Sequence, residues 1–229
     1  MLAATACEEK VQQRPPAGEA LVLCLHDVGG AGRYSLSIAQ LISLFELLKK
    51  SYRVVSLKDW YSQPQTDRKT VILTFDDGFN SVHELVVPLL KKYNFGATFF
   101  IYLERHRDDS PFFKKIQKWP PEYEVGSHAF SHVNLVRLAH LNRRRLFKQL
   151  YLSRQKLEFL TRREVSSFSW PYGIYKEELV QSVFEAGYQL QVSTDYARAR
   201  RYERIYGRFT LTQPDPVQQA RKYLARHLP

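Results

Sequence analysis

The stretch Val71-Ile72-Leu73-Thr74-Phe75-Asp76-Asp77-Gly78 reads as an apolar strand that stops abruptly at two carboxylates and a glycine. A continuous apolar run of this length suits a strand covered on both faces, as in a parallel sheet. Adjacent acids at its end repel, and each raises the other's pKa unless a cation neutralises one of them. That pattern suits one carboxylate as a metal ligand and the other as a base. The plainer alternative is a helix cap, since Asp77 precedes a segment carrying Val82, Leu85, Val86 and Leu89.

Outward from this strand, short β-branched and aromatic runs alternate with longer amphipathic ones. The pattern predicts strands at 20–25, 53–57, 70–75, 97–102, 166–169 and 188–193, with helices at 37–50, 79–93, 139–161, 175–186 and 215–227. Strand followed by helix means parallel βα units, hence an α/β fold. Neither a linker nor a repeat divides the chain, so a single domain over 19–229 is expected. An α/β barrel fits better than an open doubly wound sheet, which stays open as the alternative. Both architectures place chemistry at the carboxyl ends of the strands.

Residues 1–18 are polar and end in Pro15-Pro16-Ala17-Gly18, a flexible leader. Its opening, Met1-Leu2-Ala3-Ala4-Thr5-Ala6-Cys7, looks like the last residues of a bacterial lipoprotein signal, in which small residues precede a cysteine that becomes lipidated. Coincidence is an equal alternative, because no basic or fully apolar region precedes it. Membrane attachment through a lipidated Cys7, and a place in the cell envelope or outside the cell, are the corresponding expectations. Cys24, inside the apolar Leu21–Leu25 run, is expected to be a buried thiol.

The 34 Lys and Arg against 23 Asp and Glu leave a formal charge of +11, which favours polyanionic neighbours. The basic stretches Arg143-Arg144-Arg145, Arg162-Arg163 and Arg198 to Arg208 match no nucleic-acid module. They read as solvated faces, and nucleic acid is not expected as a partner. A monomer is expected.

Two further places collect chemistry. In Ser127-His128-Ala129-Phe130-Ser131-His132 the i, i+4 spacing would put both imidazoles on one face if the segment is helical. Two histidines and one carboxylate are a usual set for zinc or iron(II) with open positions, although either histidine alone reads equally as a surface or core residue. In Phe168-Ser169-Trp170-Pro171-Tyr172-Gly173 an apolar strand runs into a rigid turn. Trp170 and Tyr172 offer flat faces for sugars, Pro171 fixes the turn and Gly173 allows close backbone approach; a buried structural turn is as good a reading.

Thr74-Phe75-Asp76-Asp77-Gly78, Ser127 to His132 and Trp170-Pro171-Tyr172-Gly173, in that order, resemble the polysaccharide deacetylases of carbohydrate esterase family four. The resemblance implies a distorted (β/α) barrel of about seven strands and a divalent metal, zinc first, with cobalt, nickel or iron as alternatives. It implies Asp77, His128 and His132 as metal ligands, Asp76 as the base that deprotonates the attacking water, and the Tyr172 backbone N–H as an oxyanion donor. The implied substrate is an N-acetylated polysaccharide.

The chain departs from the family pattern twice. Ser169 stands where most members carry an arginine two residues before the proline, and the late Leu-x-His motif that supplies the general acid is missing. Leu23-Cys24-Leu25-His26-Asp27-Val28 resembles the opening strand of the biofilm poly-N-acetylglucosamine deacetylases, whose motif order looks circularly permuted. His26 is therefore expected as the general acid, against the reading of a buried strand histidine bonded to Asp27. Arg208, near a last strand, is the candidate to replace the missing arginine, against the reading of a surface charge, and is grouped with Trp170, Pro171 and Tyr172 at the substrate.

Overall fold

A computed structural model describes residues 18–63, 69–197, 199–200 and 203–228. Cys7 and nearly all of the expected leader lie outside the described residues. The strands are β1 (Glu19–Leu25), β2 (Asp27–Val28), β3 (Ser35–Leu36), β4 (Arg53–Val55), β5 (Thr70–Phe75), β6 (Ala97–Ile101), β7 (Tyr123–Ser127), β8 (Ser167–Ser169), β9 (Leu190–Val192), β10 (Ala199–Arg200) and β11 (Phe209–Thr210).

β1, β5, β6, β7, β8 and β9 pair in that order, parallel throughout. Val192 bridges Tyr206, and Phe209-Thr210 pairs with Leu23-Cys24 of β1. The 206–210 segment thus stands between β9 and β1, curling the sheet into a half-open barrel of the expected (β/α)7 type. β2 and β3 form a separate two-stranded pair.

Strand alternation splits the core in two. Leu21, Leu23 and Leu25 of β1 and Val71, Leu73 and Phe75 of β5 face the helices in a large outer cluster. Ala20, Val22, Ile72 and Phe100 face into the ring, together with Trp60 and Tyr206.

The helices are α1 (Ile38–Lys49), α2 (Leu57–Ser62), α3 (Val87–Tyr93), α4 (Pro111–Ile116), α5 (Leu135–Leu141), α6 (Arg143–Phe147), α7 (Ser153–Thr161), α8 (Glu177–Glu185) and α9 (Pro216–His227). A Ser37–Gln40 capping box starts α1, and Asp215 with Pro216 starts α9.

Several expected boundaries move. The helix expected over 79–93 opens with a wide π turn at Val82–Val86, next to Pro88, which lacks the N–H that a regular α turn would use. The helix expected over 139–161 is divided by Asn142, the cap of α6, and by a second π turn at Lys148–Leu152. The strand expected over 53–57 stops at Val55 because the Ser56 hydroxyl caps α2. β7, α2 and α4 were not foreseen.

Candidate active site

The inward-facing side of the strands carries polar groups upward. Cys24 follows Ala20 and Val22, and Thr74 follows Ile72. One residue beyond the ends of β1, β5 and β7 stand His26, Asp76 and His128, grouped at the carboxyl rim. Asp77 should then point away, since consecutive strand side chains alternate. It does not, because its φ is +73°, and both neighbouring carboxylates line one cleft. Ala129 (φ +69°) and Tyr172 (φ +61°) adopt the same left-handed backbone in the two other motif loops. Such conformations cost energy for non-glycine residues and concentrate at functional sites.

The helical reading of the two histidines is corrected. Ser127 ends β7, and His128 and His132 lie in the loop before α5, whose start is capped by Asn134. They meet because that loop folds back. Gln149, from the second π turn, accepts from the backbone N–H of Phe130 and Ser131 and donates to the Ser131 hydroxyl. The helix-cap reading of Asp77 also falls, since its Oδ1 is buried without a hydrogen-bond partner. His106 holds the next turn residue instead, Nε2 to the Gly78 carbonyl at 2.7 Å.

Asp77 Oδ1 lies 3.6 Å from Nε2 of His128 and 3.6 Å from Nε2 of His132, and the donor atoms of all three fall within 4.8 Å of one another. Ligands at about 2.1 Å from a tetrahedral ion stand about 3.4 Å apart, so the trio fits a divalent ion with small adjustments. His128 Nδ1 donates to the Ser169 carbonyl at 2.8 Å, which leaves the Nε2 lone pair facing the site. Burial pushes His128 down to about 4 against the upward pull of Asp76, and burial also lowers His132. Both imidazoles are therefore neutral at ordinary pH, as a metal requires. Burial, then the charge of Asp76, raises the Asp77 carboxyl.

Asp76 is held differently. Burial alone would raise its pKa, but the Arg208 guanidinium, with His128 behind it, overrides burial and keeps the carboxyl well below the usual range. Arg208 donates through Nη1 to Oδ1 and through Nη2 to Oδ2, each at 2.7 Å. Its remaining donors reach the Ser193 carbonyl, Thr74 Oγ1 and Ser169 Oγ. The Ser169 hydroxyl donates to Asp76 Oδ2 at 3.2 Å, and the buried Cys24 thiol approaches the same oxygen at 3.7 Å. The surface reading of Arg208 is thereby corrected: its exposure is 0%. Ser169, short where an arginine was expected, leaves room for a guanidinium arriving from the far end of the chain.

His26 lines the cleft with Nδ1 buried and unpartnered, its ring against Tyr34. Burial lowers its pKa against the pull of Asp76 and Asp77. The reading that ties it to Asp27 fails, because Asp27 binds the hydroxyls of Ser81 and Ser35.

Two substrate-contact expectations are corrected. Trp170 is fully buried with Nε1 on Gln191, and Pro171 is buried beneath the turn, so neither presents a face to a sugar. Tyr172 is 57% exposed and lines the cleft. Gly173 serves packing: its φ is +70°, and a Cβ would meet Thr194 Oγ1 at 1.9 Å. The cleft, about 390 Å³, is also lined by Arg33, Thr194, Tyr196 and Thr212, for which the sequence carried no signal.

The model of the polysaccharide deacetylase family matches residues 63–191, more than half of the chain. The chain belongs to the polysaccharide deacetylase family. The matched span holds Asp76, Asp77, His128, His132 and the Trp-Pro-Tyr-Gly turn, and excludes His26 and Arg208. Over 140 residues this family member is 27% identical to YxkH of Bacillus subtilis strain 168, whose name assigns it provisionally to the polysaccharide deacetylases. The match covers 60% of this chain and 49% of YxkH, so the chain spans about half the length of that relative. The fold is similar to that of the deacetylase PplD of Streptococcus pyogenes, solved in complex with acetate (TM-score 0.76, 16% identity, 91% of this chain and 99% of PplD). It is also similar to IcaB of Ammonifex degensii (TM-score 0.73, 22% identity, 90% and 97%). At these identities the two structures speak for the fold alone.

Proposed function

We propose that this protein is a metal-dependent hydrolase that removes N-acetyl groups from an N-acetylglucosamine-containing polysaccharide, with poly-β-1,6-N-acetylglucosamine as the polymer. The carrying observation is the convergence of Asp77, His128 and His132 beside an Asp76 clamped by Arg208 at the carboxyl rim. Family membership supports the reaction class. Acetate, found with PplD, is the small product such a reaction releases.

Asp77, His128 and His132 would hold the metal, zinc in the first place and cobalt, nickel or iron as alternatives. Bound there, a divalent ion supplies Lewis acidity, polarising the acetamide carbonyl and lowering the pKa of the attacking water. Asp76 takes the proton of that water on a carboxylate oxygen, and Arg208 and Ser169 keep the carboxylate ionised and fixed. The Tyr172 N–H, presented by a left-handed turn, donates to the oxygen that gains charge as water adds to the carbonyl. His26 gives a proton to the departing nitrogen as the C–N bond breaks, leaving acetate and a free amine.

The choice of polymer rests on the His26-bearing first strand and on the Trp-Pro-Tyr-Gly form of the third motif, both of which resemble the biofilm subgroup. We further propose that the protein acts as a monomer at the cell envelope or outside the cell, with Cys7 as a lipid-bearing residue. Ser169 in the arginine's place would by itself favour a catalytically weak glycan-binding protein. That reading loses its motive once Arg208 occupies the arginine's place.

The test is acetate release by the purified protein, with zinc or cobalt, from acetylated β-1,6-glucosamine, chitin and peptidoglycan oligomers. Fastest release is expected from the β-1,6 polymer, and no acetate from any of them would refute the deacetylase reading.

A further inference from the structure

Beside the cleft, with His132 and Tyr172 as shared walls, lies a second groove of about 850 Å³, within the size range of ligand sites. Both cavities are lined by His132 and Tyr172, so an extended ligand seated in one continues into the other. The groove wall carries Arg137 of α5, Arg145 of α6 and Lys148 of the following turn, all exposed, against the single carboxylate of Glu104.

Some exposed cations elsewhere have acidic partners, Lys58 with Glu164, Lys156 with Asp108 and Arg204 with Glu177; what sets the groove apart is that its cations line one concave surface beside the cleft. Among the described residues Arg137, Arg145 and Lys148 have no ion-pair partner. Lys148 lies instead over the Phe130 ring, 4.2 Å from its centroid. Uncompensated cations around a concave surface raise the local potential, which attracts anions and excludes other cations.

We propose that this groove is a glycan subsite that reads charge: it takes a sugar unit that is still acetylated or bears an acidic group, and it rejects a unit with a free amine. The inference rests on the deacetylase reading and deepens it. A free amine is that reaction's own product and is an ammonium at neutral pH. A unit already processed is therefore turned away from the groove, and deacetylated units end up spaced along the polymer rather than contiguous.

The test uses three β-1,6-linked glucosamine tetrasaccharides with an acetylated target unit, differing in the group on the adjacent unit's nitrogen: acetyl, free amine or a carboxyacyl group. At low salt the zinc-loaded protein should process the amine-flanked oligomer about tenfold less efficiently than the acetylated one, and the carboxyacyl oligomer at least as well. The spread should collapse at high salt and in the triple variant Arg137→Gln, Arg145→Gln, Lys148→Gln. An unchanged spread in that variant, or equal processing of all three by the unaltered protein, would overturn the subsite. If no oligomer yields acetate, the deacetylase reading fails separately. The groove is then judged by binding of the same three oligomers, in which the charge order should persist in the unaltered protein and vanish in the variant.

Discussion

Arg208 grips Asp76 as a bidentate pair, both bonds at 2.7 Å and both side chains buried. The two residues lie 132 positions apart in the sequence, and β11, paired with β1 next to β5, brings them together. This pair fixes the orientation of the Asp76 carboxylate and its ionisation together.

Removing Arg208 leaves a buried carboxylate without its cation, a loss of about 3–5 kcal/mol. In the native protein Asp76 is depressed, so the stability it contributes is present above the unfolded carboxyl's pKa and is lost as pH falls. In Arg208→Met burial acts unopposed by the guanidinium and raises Asp76. The deficit should then be largest near neutral pH and should shrink in acid, where Asp76 protonates. Urea unfolding at neutral and acidic pH measures this, and a deficit independent of pH would argue against the pair's charge.

Asp76→Asn leaves the proposed ligands Asp77, His128 and His132 unchanged. It should retain zinc while losing about 10²–10⁴ in turnover, together with some stability because Arg208 loses its counter-charge. His128→Ala should lose zinc and turnover together. Metal content by emission spectroscopy beside acetate release separates the two, and equal metal loss would contradict the division of roles.

Metal-free protein should weaken in mild acid. His128 sits at about 4 instead of its ordinary 6.5 because of burial. Between those pH values the unfolded chain binds more protons than the folded one, so stability falls as pH drops through the window and levels off below it. The change is about 3 kcal/mol. Zinc at a hundredfold excess over its Kd should add about 2.7 kcal/mol at neutral pH, seen as a higher melting temperature that a chelator reverses.

Gly173→Ala should damage the third motif without touching a charged group. A Cβ there meets Thr194 Oγ1 at 1.9 Å on a backbone with φ +70°. Overpacking of this kind costs about 1–3 kcal/mol. Melting temperature and kcat should both fall, because Tyr172 precedes the strained glycine, whereas zinc content should hold.

The clustering of Asp77, His128 and His132 was legible because each sits in a local pattern: two acids ending an apolar strand, and two histidines four apart. The two histidines meet through a loop pinned by Gln149 rather than on a helix face, which the spacing alone does not distinguish. Trp170 misled because an aromatic residue beside a motif proline looks the same whether it faces a sugar or the core. Burial is a property of the neighbours, here Phe168 and Gln191.

The sequence by itself determined the βα alternation, the single domain and the carboxylate–histidine set, all of which follow from residues near one another in the chain. Only the tertiary structure decided that Arg208 clamps the Asp76 carboxylate, that Asp77 turns into the cleft beside Asp76, and that Arg137, Arg145 and Lys148, without ion-pair partners among the described residues, line a groove next to it. Those relationships depend on ring closure, on a left-handed φ and on the packing of α5 and α6 beside the rim. A side chain's solvation and counter-charge are set by whatever the fold brings against it, across a sequence separation of 132 in the case of Asp76 and Arg208.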